Sequence, residues 1–198
     1  PVVKWATEVT RLEDLPRTVR RAGKVAMTAP TGPVFISLPG DVLNDRKGID
    51  LGARTRVDTT MRPTDAGLEA LADRLLVAKN PAILAGNEVV TSDALEEVAR
   101  FADVLGAPAF QQTTAYGSFF PSEHPAFMGA LSRNQKEVRA ILEDYDLLVV
   151  IGADVLRMSV MSATEPLPDG MLIVQIGLFD WEMGKNYPAD MAVRGDVR

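Results

Sequence analysis

The chain has 198 residues, a formal net charge of −6, 46% hydrophobic residues and no cysteine. This length allows one substantial core, or one domain and part of another. The acidic charge argues against nucleic-acid binding, the lack of cysteine excludes disulfides and cysteine-ligated metals, and no apolar run is long enough to span a bilayer. Because residues 1–9 have no signal-peptide pattern, we expect a cytoplasmic protein that contacts neither nucleic acid nor membrane.

The first segment predicts a helix, a turn and a strand. Pro16 lies in the first turn of this helix, where its missing N–H costs nothing. The basic residues within 17–24 have helical spacing and predict a solvent-exposed helix face. Residues 34–38 form an apolar run that predicts a strand. Residues 44–63 are charged and aperiodic, which favours a linker at a domain boundary.

From residue 64 onward, predicted helices alternate with predicted strands. The helices span 64–79, 91–106 and 132–145, and the strands span 81–86, 107–112, 146–153, 169–177 and 190–196. The strands are continuous apolar runs, which is typical of a parallel sheet that is buried on both faces. Residues 64–198 therefore predict an α/β domain with a doubly wound parallel sheet, covered by helices on both faces in the Rossmann-like manner.

The helix ends carry recognisable capping residues. Thr64 is the predicted N-cap of the first of these helices, and Ser92 or Asp93 that of the second. Gly106 is predicted to end the second helix. The apolar face of the first helix is predicted to consist of Leu68, Leu71, Leu75 and Leu76.

Three predicted strand ends are candidate binding positions, because ligands of such sheets bind beyond the carboxyl ends of strands where the strand order reverses. The candidate residues are Gly86, Asn87, Gly152, Ala153, Asp154, Arg157 and Gly177. Glycine at these positions would let a phosphate or a flavin approach the backbone. None of the three stretches forms a GxGxxG or P-loop motif. The alternative that these glycines only make tight turns therefore stays open.

No catalytic residue or metal cluster is predicted in this chain. The one histidine, His124, lies beside a proline and has no local partner for acid–base chemistry, so we expect it to hydrogen-bond within its own loop. Residues 111–120 are rich in hydroxyl and aromatic side chains. They could line a cleft, or they could form a long loop over the sheet.

Five motifs occur in a characteristic order along the chain. They read GPVFISLPGDV, NPAILAGNEV, HPAFMG, DLLVVIGADV and GKNYPADMAVRGD. This order resembles the thiamine-diphosphate-dependent decarboxylase and synthase superfamily, which includes acetolactate synthase, pyruvate oxidase and benzoylformate decarboxylase. The chain is most similar to the benzoylformate decarboxylase-like members.

The resemblance implies a domain organisation, and it implies which domains hold the cofactor. Residues 1–45 resemble the end of a pyrimidine-binding domain, 46–63 a linker and 64–198 the central domain. In this family, a glutamate early in the first domain and a GDG…N motif in the last domain hold thiamine diphosphate and Mg²⁺, and this sequence has neither. The resemblance thus implies a fragment of a 2-keto-acid decarboxylase or carboligase. The fragment would be an inactive scaffold that contacts its missing domains and other copies of the chain.

Two alternatives remain at this point. Central domains of the acetolactate synthase and oxidase type bind FAD or ADP, but their pattern favours glycines where Asn87 and Glu88 stand. The pattern also favours an acidic residue at the end of strand 169–177, where this chain has Gln175 and Gly177. The other alternative is a free-standing NAD-dependent enzyme of similar fold, for which His124 is the one candidate base.

Overall fold

The computed structural model describes residues 2–53, 55, 57–113 and 117–198, and it divides into two compact units that meet between residues 58 and 59. The first unit contains β1 (Trp5–Glu8), a 3-10 turn (Leu12–Asp14), α1 (Leu15–Met27), β2 (Val34–Ser37) and α2 (Gly40–Asn44). The two strands pair in parallel, with Trp5 opposite Val34, and α1 packs against both. Pro16 lies in the first turn of α1, as predicted.

The second unit consists of one sheet and the helices around it, which are five to twelve residues long. Its elements are α3 (Asp65–Leu76), β3 (Pro81–Ala85), α4 (Asn87–Thr91), α5 (Leu95–Leu105), β4 (Ala109–Gln111), β5 (Phe127–Ala130), α6 (Gln135–Leu142), β6 (Leu147–Ile151), β7 (Leu172–Gly177), a 3-10 turn (Asp180–Glu182) and β8 (Met191–Arg194). All six strands are parallel, in the order β5-β4-β3-β6-β7-β8. The order reverses between β3 and β6, which confirms the predicted doubly wound sheet.

The core of the second unit has two layers, one on each face of the sheet. Because neighbouring residues of a strand point to opposite faces, Ile83 of β3 packs in one layer and Leu84 in the other. The first layer includes residues of α3 and α5, and the second includes residues of α6. Every residue of β6 is buried, as its continuous apolar sequence predicts.

Some predicted helix details are right and others are wrong. Thr64 caps α3 by accepting a hydrogen bond from the Gly67 N–H at 3.2 Å, and Gly106 ends α5 with a φ of 65°. The predicted caps Ser92 and Asp93 are wrong, because Ala94 occupies the N-cap of α5 without a side-chain bond. Ser92 instead ends α4, an unpredicted helix, and Asp93 turns the chain with a φ of 54°.

One residue of the predicted apolar face of α3 is misplaced. Leu71 is buried and Leu75 packs against the core, but Leu76 is 81% exposed. Leu76 is the last residue of α3, and it lies one position beyond the core-facing Leu75. The helical rotation of about 100° per residue turns it away from the sheet.

Candidate functional site

The carboxyl ends of β3, β6 and β7 lie side by side and bring together the glycines predicted at these positions. The Gly86 N–H donates to the Ile151 carbonyl at 2.9 Å, and the Gly152 N–H donates to the Ile176 carbonyl at 2.7 Å. Gly177 is the last residue of β7. These three glycines therefore surround the point where the strand order reverses, which is the usual ligand position of such a sheet.

The glycines are packed against the protein itself. A Cβ on Gly86 would lie 2.4 Å from the Cβ of Ala153 and 2.5 Å from the carbonyl oxygen of Gly152. Gly152 has a φ of 60°, and a Cβ there would lie 2.5 Å from the Cβ of Glu88. Such distances are closer than atoms can approach, so both positions require glycine for the turns themselves. These close contacts favour the tight-turn alternative for Gly86 and Gly152, with Ala153 as the residue that packs against Gly86.

Glu88 fills the space over the third glycine. This residue is 6% exposed, and its carboxylate accepts a hydrogen bond from the Leu178 backbone N–H at 2.6 Å. A Cβ on Gly177 would lie 2.9 Å from a Glu88 carboxylate oxygen, so the missing side chain of Gly177 makes room for this carboxylate. Asn87 begins the short helix α4 and thereby directs Glu88 into this position.

The electrostatic environment of Glu88 is unfavourable to its charge. Burial raises the pKa of the Glu88 carboxyl above its ordinary value of 4.5, and the carboxylates of Asp196 and Glu182 raise it further. The backbone N–H groups of Leu178 and Phe179 oppose this shift by stabilising the charged form. Sequence reasoning did not select Glu88 as a site residue. The available signal was an acidic residue one position past the turn that follows a buried strand.

Asp154 organises a separate cluster of charged side chains at the end of β6. Its side chain is 4% exposed and accepts a hydrogen bond from Asn186 Nδ2 at 3.1 Å. Lys185 Nζ lies 3.6 Å and Arg157 Nε 3.7 Å from the same carboxylate oxygen. Asp154 and Arg157, both candidates for contact with a bound nucleotide, thus lie close together, and Asp154 holds the loop that follows β7 through Lys185 and Asn186.

Lys185 links this cluster to neighbouring side chains of its own loop. It forms an ion pair with Glu182, and its Nζ lies 5.0 Å from the centre of the Trp181 ring. The pKa of Lys185 is raised, chiefly by the hydrogen bond to Glu182 and also by the charge of Asp154. The lysine charge is therefore shared between two carboxylates and an aromatic face.

Gln175 occupies the position at which a nucleotide-binding sheet would place an acidic residue. It is 1% exposed, and its Oε1 accepts a hydrogen bond from the Gly184 N–H at 2.6 Å. Its Nε2 has no hydrogen-bond partner among the described residues. Because its Oε1 is buried and bound to the 182–186 loop, Gln175 offers no exposed carboxylate oxygen to a ribose hydroxyl.

A small cavity of about 210 Å³ opens beside the ends of β6 and β7. Its lining consists of Glu97, Val98, Phe101, Ile151, Ile176, Asp196 and Val197. Small-molecule pockets usually measure about 300–1,000 Å³. The size of this cavity and its two carboxylates disfavour a phosphate-bearing nucleotide.

His124 makes structural contacts within its loop. Its Nδ1 accepts a hydrogen bond from the Ala126 N–H at 3.2 Å, and its Nε2 lies 3.4 Å from Asp103 Oδ1. Its ring packs edge-to-face against Phe120 at a centroid distance of 5.5 Å. The predicted hydrogen bond within the loop is thus present, and Asp103 of α5 is a second partner that the sequence did not indicate.

Both ends of the segment 111–120 pack into the core. Gln111 is buried and accepts a hydrogen bond from the Phe119 N–H at 3.2 Å, while Gln112 donates to the Asp154 carbonyl at 3.1 Å. Phe119 and Phe120 are also buried. The cleft-lining hypothesis for residues 114–116 lies outside the described residues.

No group of three metal-ligating side chains occurs among the described residues. Mg²⁺ prefers oxygen ligands, and no three carboxylates of the described residues form such a group. Within the same part of the chain, no helix is long and apolar enough to cross a membrane.

Comparison with known proteins places this fold in a family. The family model described as thiamine pyrophosphate enzyme, central domain, matches residues 68–198. Benzoylformate decarboxylase of Pseudomonas aeruginosa is 30% identical over the whole chain, which covers 38% of that protein. A probable acetolactate synthase large subunit of Methanocaldococcus jannaschii is 28% identical over the whole chain, which covers 34% of that protein.

Solved structures agree with the sequence relatives. A putative thiamin diphosphate-dependent enzyme from Mycobacterium smegmatis superposes with a TM-score of 0.83 at 34% identity over the whole chain, which covers 38% of that structure. Benzoylformate decarboxylase from Polynucleobacter necessarius gives a TM-score of 0.82 at 34% identity and is covered to 37%. The chain thus spans little more than a third of the relatives that it matches. It belongs to the family of thiamine pyrophosphate enzyme central domains, as its order of motifs predicts.

Proposed function

We propose that this chain is the structural centre of a thiamine-diphosphate-dependent enzyme that cleaves or forms a carbon–carbon bond beside the carbonyl of a 2-keto acid. The relatives named as benzoylformate decarboxylase and acetolactate synthase support this class of reaction. Thiamine diphosphate would supply the carbanion chemistry when bound. The cofactor and Mg²⁺ would be held by other domains of the same protein. This proposal is supported by the lack of a GDG…N motif in the sequence and of a group of three metal-ligating side chains among the described residues.

The proposed role of the second unit is that of a scaffold without a nucleotide. The observation that carries this proposal is the packing at the strand ends, where Glu88 and Ala153 fill the space beside Gly86, Gly152 and Gly177. At each of these glycines, the space that a phosphate would need is taken by Glu88 or Ala153. The chain would hold its neighbouring domains at a fixed spacing and would contribute no catalytic side chain of its own.

The second candidate function is a central domain that binds FAD or ADP. The reversal of strand order between β3 and β6 favours it, since this arrangement is the usual nucleotide position. The burial of Glu88 and the bonding of Gln175 to Gly184 disfavour it. A free-standing NAD-dependent enzyme has weaker support, because His124 is held by contacts with its own loop and with Asp103.

We further propose that the chain associates with copies of itself in the intact enzyme. Leu76 at the end of α3 and Val104 near the end of α5 are each 81% exposed. Both helices cover the same face of the sheet. Light scattering should give a lower molar mass for the double variant Leu76→Glu/Val104→Glu than for the unmodified chain. Asp73→Lys on α3 controls for a change of charge, and an unchanged mass in the double variant would contradict the proposal.

A thermal-shift panel tests the scaffold proposal directly. The purified chain is measured with FAD, ADP, coenzyme A, NAD, and thiamine diphosphate with Mg²⁺. A ligand of the folded state at 100 times its Kd adds roughly 2.7 kcal/mol of stability. We expect no shift with any of these ligands. A shift with FAD or ADP would establish the second candidate, and a shift with thiamine diphosphate would contradict the proposed location of that cofactor.

A further inference from the structure

The path of the chain after β3 carries an acidic side chain across the ends of two neighbouring strands. Helix α4 begins immediately after Gly86, so Glu88 is positioned within its first turn. The Glu88 N–H donates to the Gly152 carbonyl at 3.1 Å, which ties the helix to the end of β6. Its carboxylate then reaches the end of β7 and bonds to the Leu178 N–H at 2.6 Å.

The structure assigns Glu88 the role of an internal anion that occupies the place of a nucleotide phosphate and excludes phosphate-bearing nucleotides from this sheet. The assignment deepens the proposed nucleotide-free scaffold and rests on it. A carboxylate and a phosphate both accept hydrogen bonds from backbone N–H groups and both need glycine where they approach a strand end closely. Glu88 uses the Leu178 N–H and the space over Gly177 in this way.

Two observations make the exclusion specific to the Glu88 side chain. The Glu88 side chain is 6% exposed, so it fills the space over Gly177 and does not lie at the protein surface. Its two carboxylate oxygens lie 2.9 and 3.0 Å from the position that a Cβ on Gly177 would take. A second anion would have to displace a carboxylate from a short hydrogen bond and then lie beside its negative charge. Alanine would keep the Cβ over Gly152, but it would leave the space over Gly177 and the Leu178 N–H open.

The test compares the parent chain with two variants, using inorganic phosphate, ADP and FAD as probes in isothermal titration. Glu88→Ala removes both the bulk and the charge, so we expect it to bind ADP at least ten-fold more tightly than the parent chain. Glu88→Gln keeps the bulk and an acceptor oxygen, so we expect no gain. A folded Glu88→Ala variant without any gain for phosphate, ADP or FAD would overturn the assignment.

A measurement on the parent chain covers the case in which Glu88→Ala does not fold. The amide resonances of Leu178 and Phe179 should follow the titration of the Glu88 carboxyl and should not move when ADP is added. Movement of these two amides on addition of ADP would overturn the assignment, as would their insensitivity to pH. Binding of ADP by the parent chain defeats the scaffold proposal, whereas a variant without gain defeats the assignment to Glu88 alone.

Discussion

Asn80 and Asp146 exchange two hydrogen bonds between the segments that lead into the two central strands. The Asn80 N–H donates to Asp146 Oδ1 at 2.9 Å, and the Asp146 N–H donates to the Asn80 carbonyl at 3.1 Å. The Lys79 N–H donates to the second carboxylate oxygen at 2.8 Å. One carboxylate thus aligns the starts of β3 and β6, at the opposite end of the strands from Glu88.

Replacing Asp146 with Asn should destabilise the second unit by about 1 kcal/mol at pH 7, because a neutral amide oxygen is a weaker acceptor for two backbone N–H groups. Hydrogen bonds from Lys79 and Asn80 lower the pKa of the Asp146 carboxyl. The contribution of Asp146 to the free energy of unfolding is therefore fully present above the carboxyl pKa of the unfolded chain. It is lost as the pH falls through the lowered pKa of the folded chain. Urea unfolding at pH 7 and near pH 3 measures this, with exposed Asp73→Asn as the control. Equal loss in both variants would contradict it.

Replacing Gly86 with Ala should destabilise the second unit by about 1–3 kcal/mol, the usual cost of overpacking. The added Cβ would lie 2.4 Å from the Cβ of Ala153, so the turn after β6 would have to move. Gly23→Ala in α1 is the matched control, because its Cβ would meet no atom within 4 Å and alanine favours a helix. Thermal unfolding of both variants measures the difference. Gly86→Ala with parental stability would show that the turn is loosely packed.

Glu88 should give the chain a pH dependence opposite to that of Asp146. Since burial raises the pKa of the Glu88 carboxyl in the folded state, its contribution is fully present below the unfolded pKa. The contribution is lost as the pH rises through the raised folded value. Chemical denaturation of the parent chain from pH 4 to pH 8 should show this decline, and Glu88→Gln should lose that part of the slope. Parallel pH profiles for the two proteins would refute the prediction.

Asp154 should matter more for stability than either of the cations that face it. Asp154→Ala leaves Asn186, Lys185 and Arg157 without their shared carboxylate, so we expect a loss of about 2 kcal/mol. Arg157→Ala removes one half-exposed ion pair and should cost less than about 1 kcal/mol. Denaturant unfolding of the two variants gives the comparison. The reverse ranking would mean that Arg157 has a packing role that its ion pair does not explain.

Sequence patterns predicted the elements whose periodicity or capping is local. The uninterrupted apolar run of β6, the cap at Thr64 and the helix end at Gly106 depend only on neighbouring residues. The strand β5 was missed because it has four residues at the sheet edge, with alternating burial and a register shift beside β4. Helix α4 was missed because five residues are too few to show a helical period.

The candidate site could be predicted only in part. Gly86, Gly152 and Gly177 could be selected from the sequence because each lies at the end of an apolar run that predicts a strand. The structure brings these three glycines together. The role of Glu88 could not be predicted, because it depends on the parallel register that places Leu178 beside α4. Long-range pairing of this kind leaves no periodic signal in the sequence.

The reversal of strand order also sets the sequence of events in folding. Strand β3 pairs with β4 on one side, but its other neighbour, β6, follows only after the whole of α4, α5, β4, β5 and α6. Pairing across such a separation loses the conformational entropy of a long loop before contacts between the two strands can stabilise it. During synthesis, β3 therefore keeps one open edge until β6 has emerged, and an open strand edge is a template for pairing with another chain.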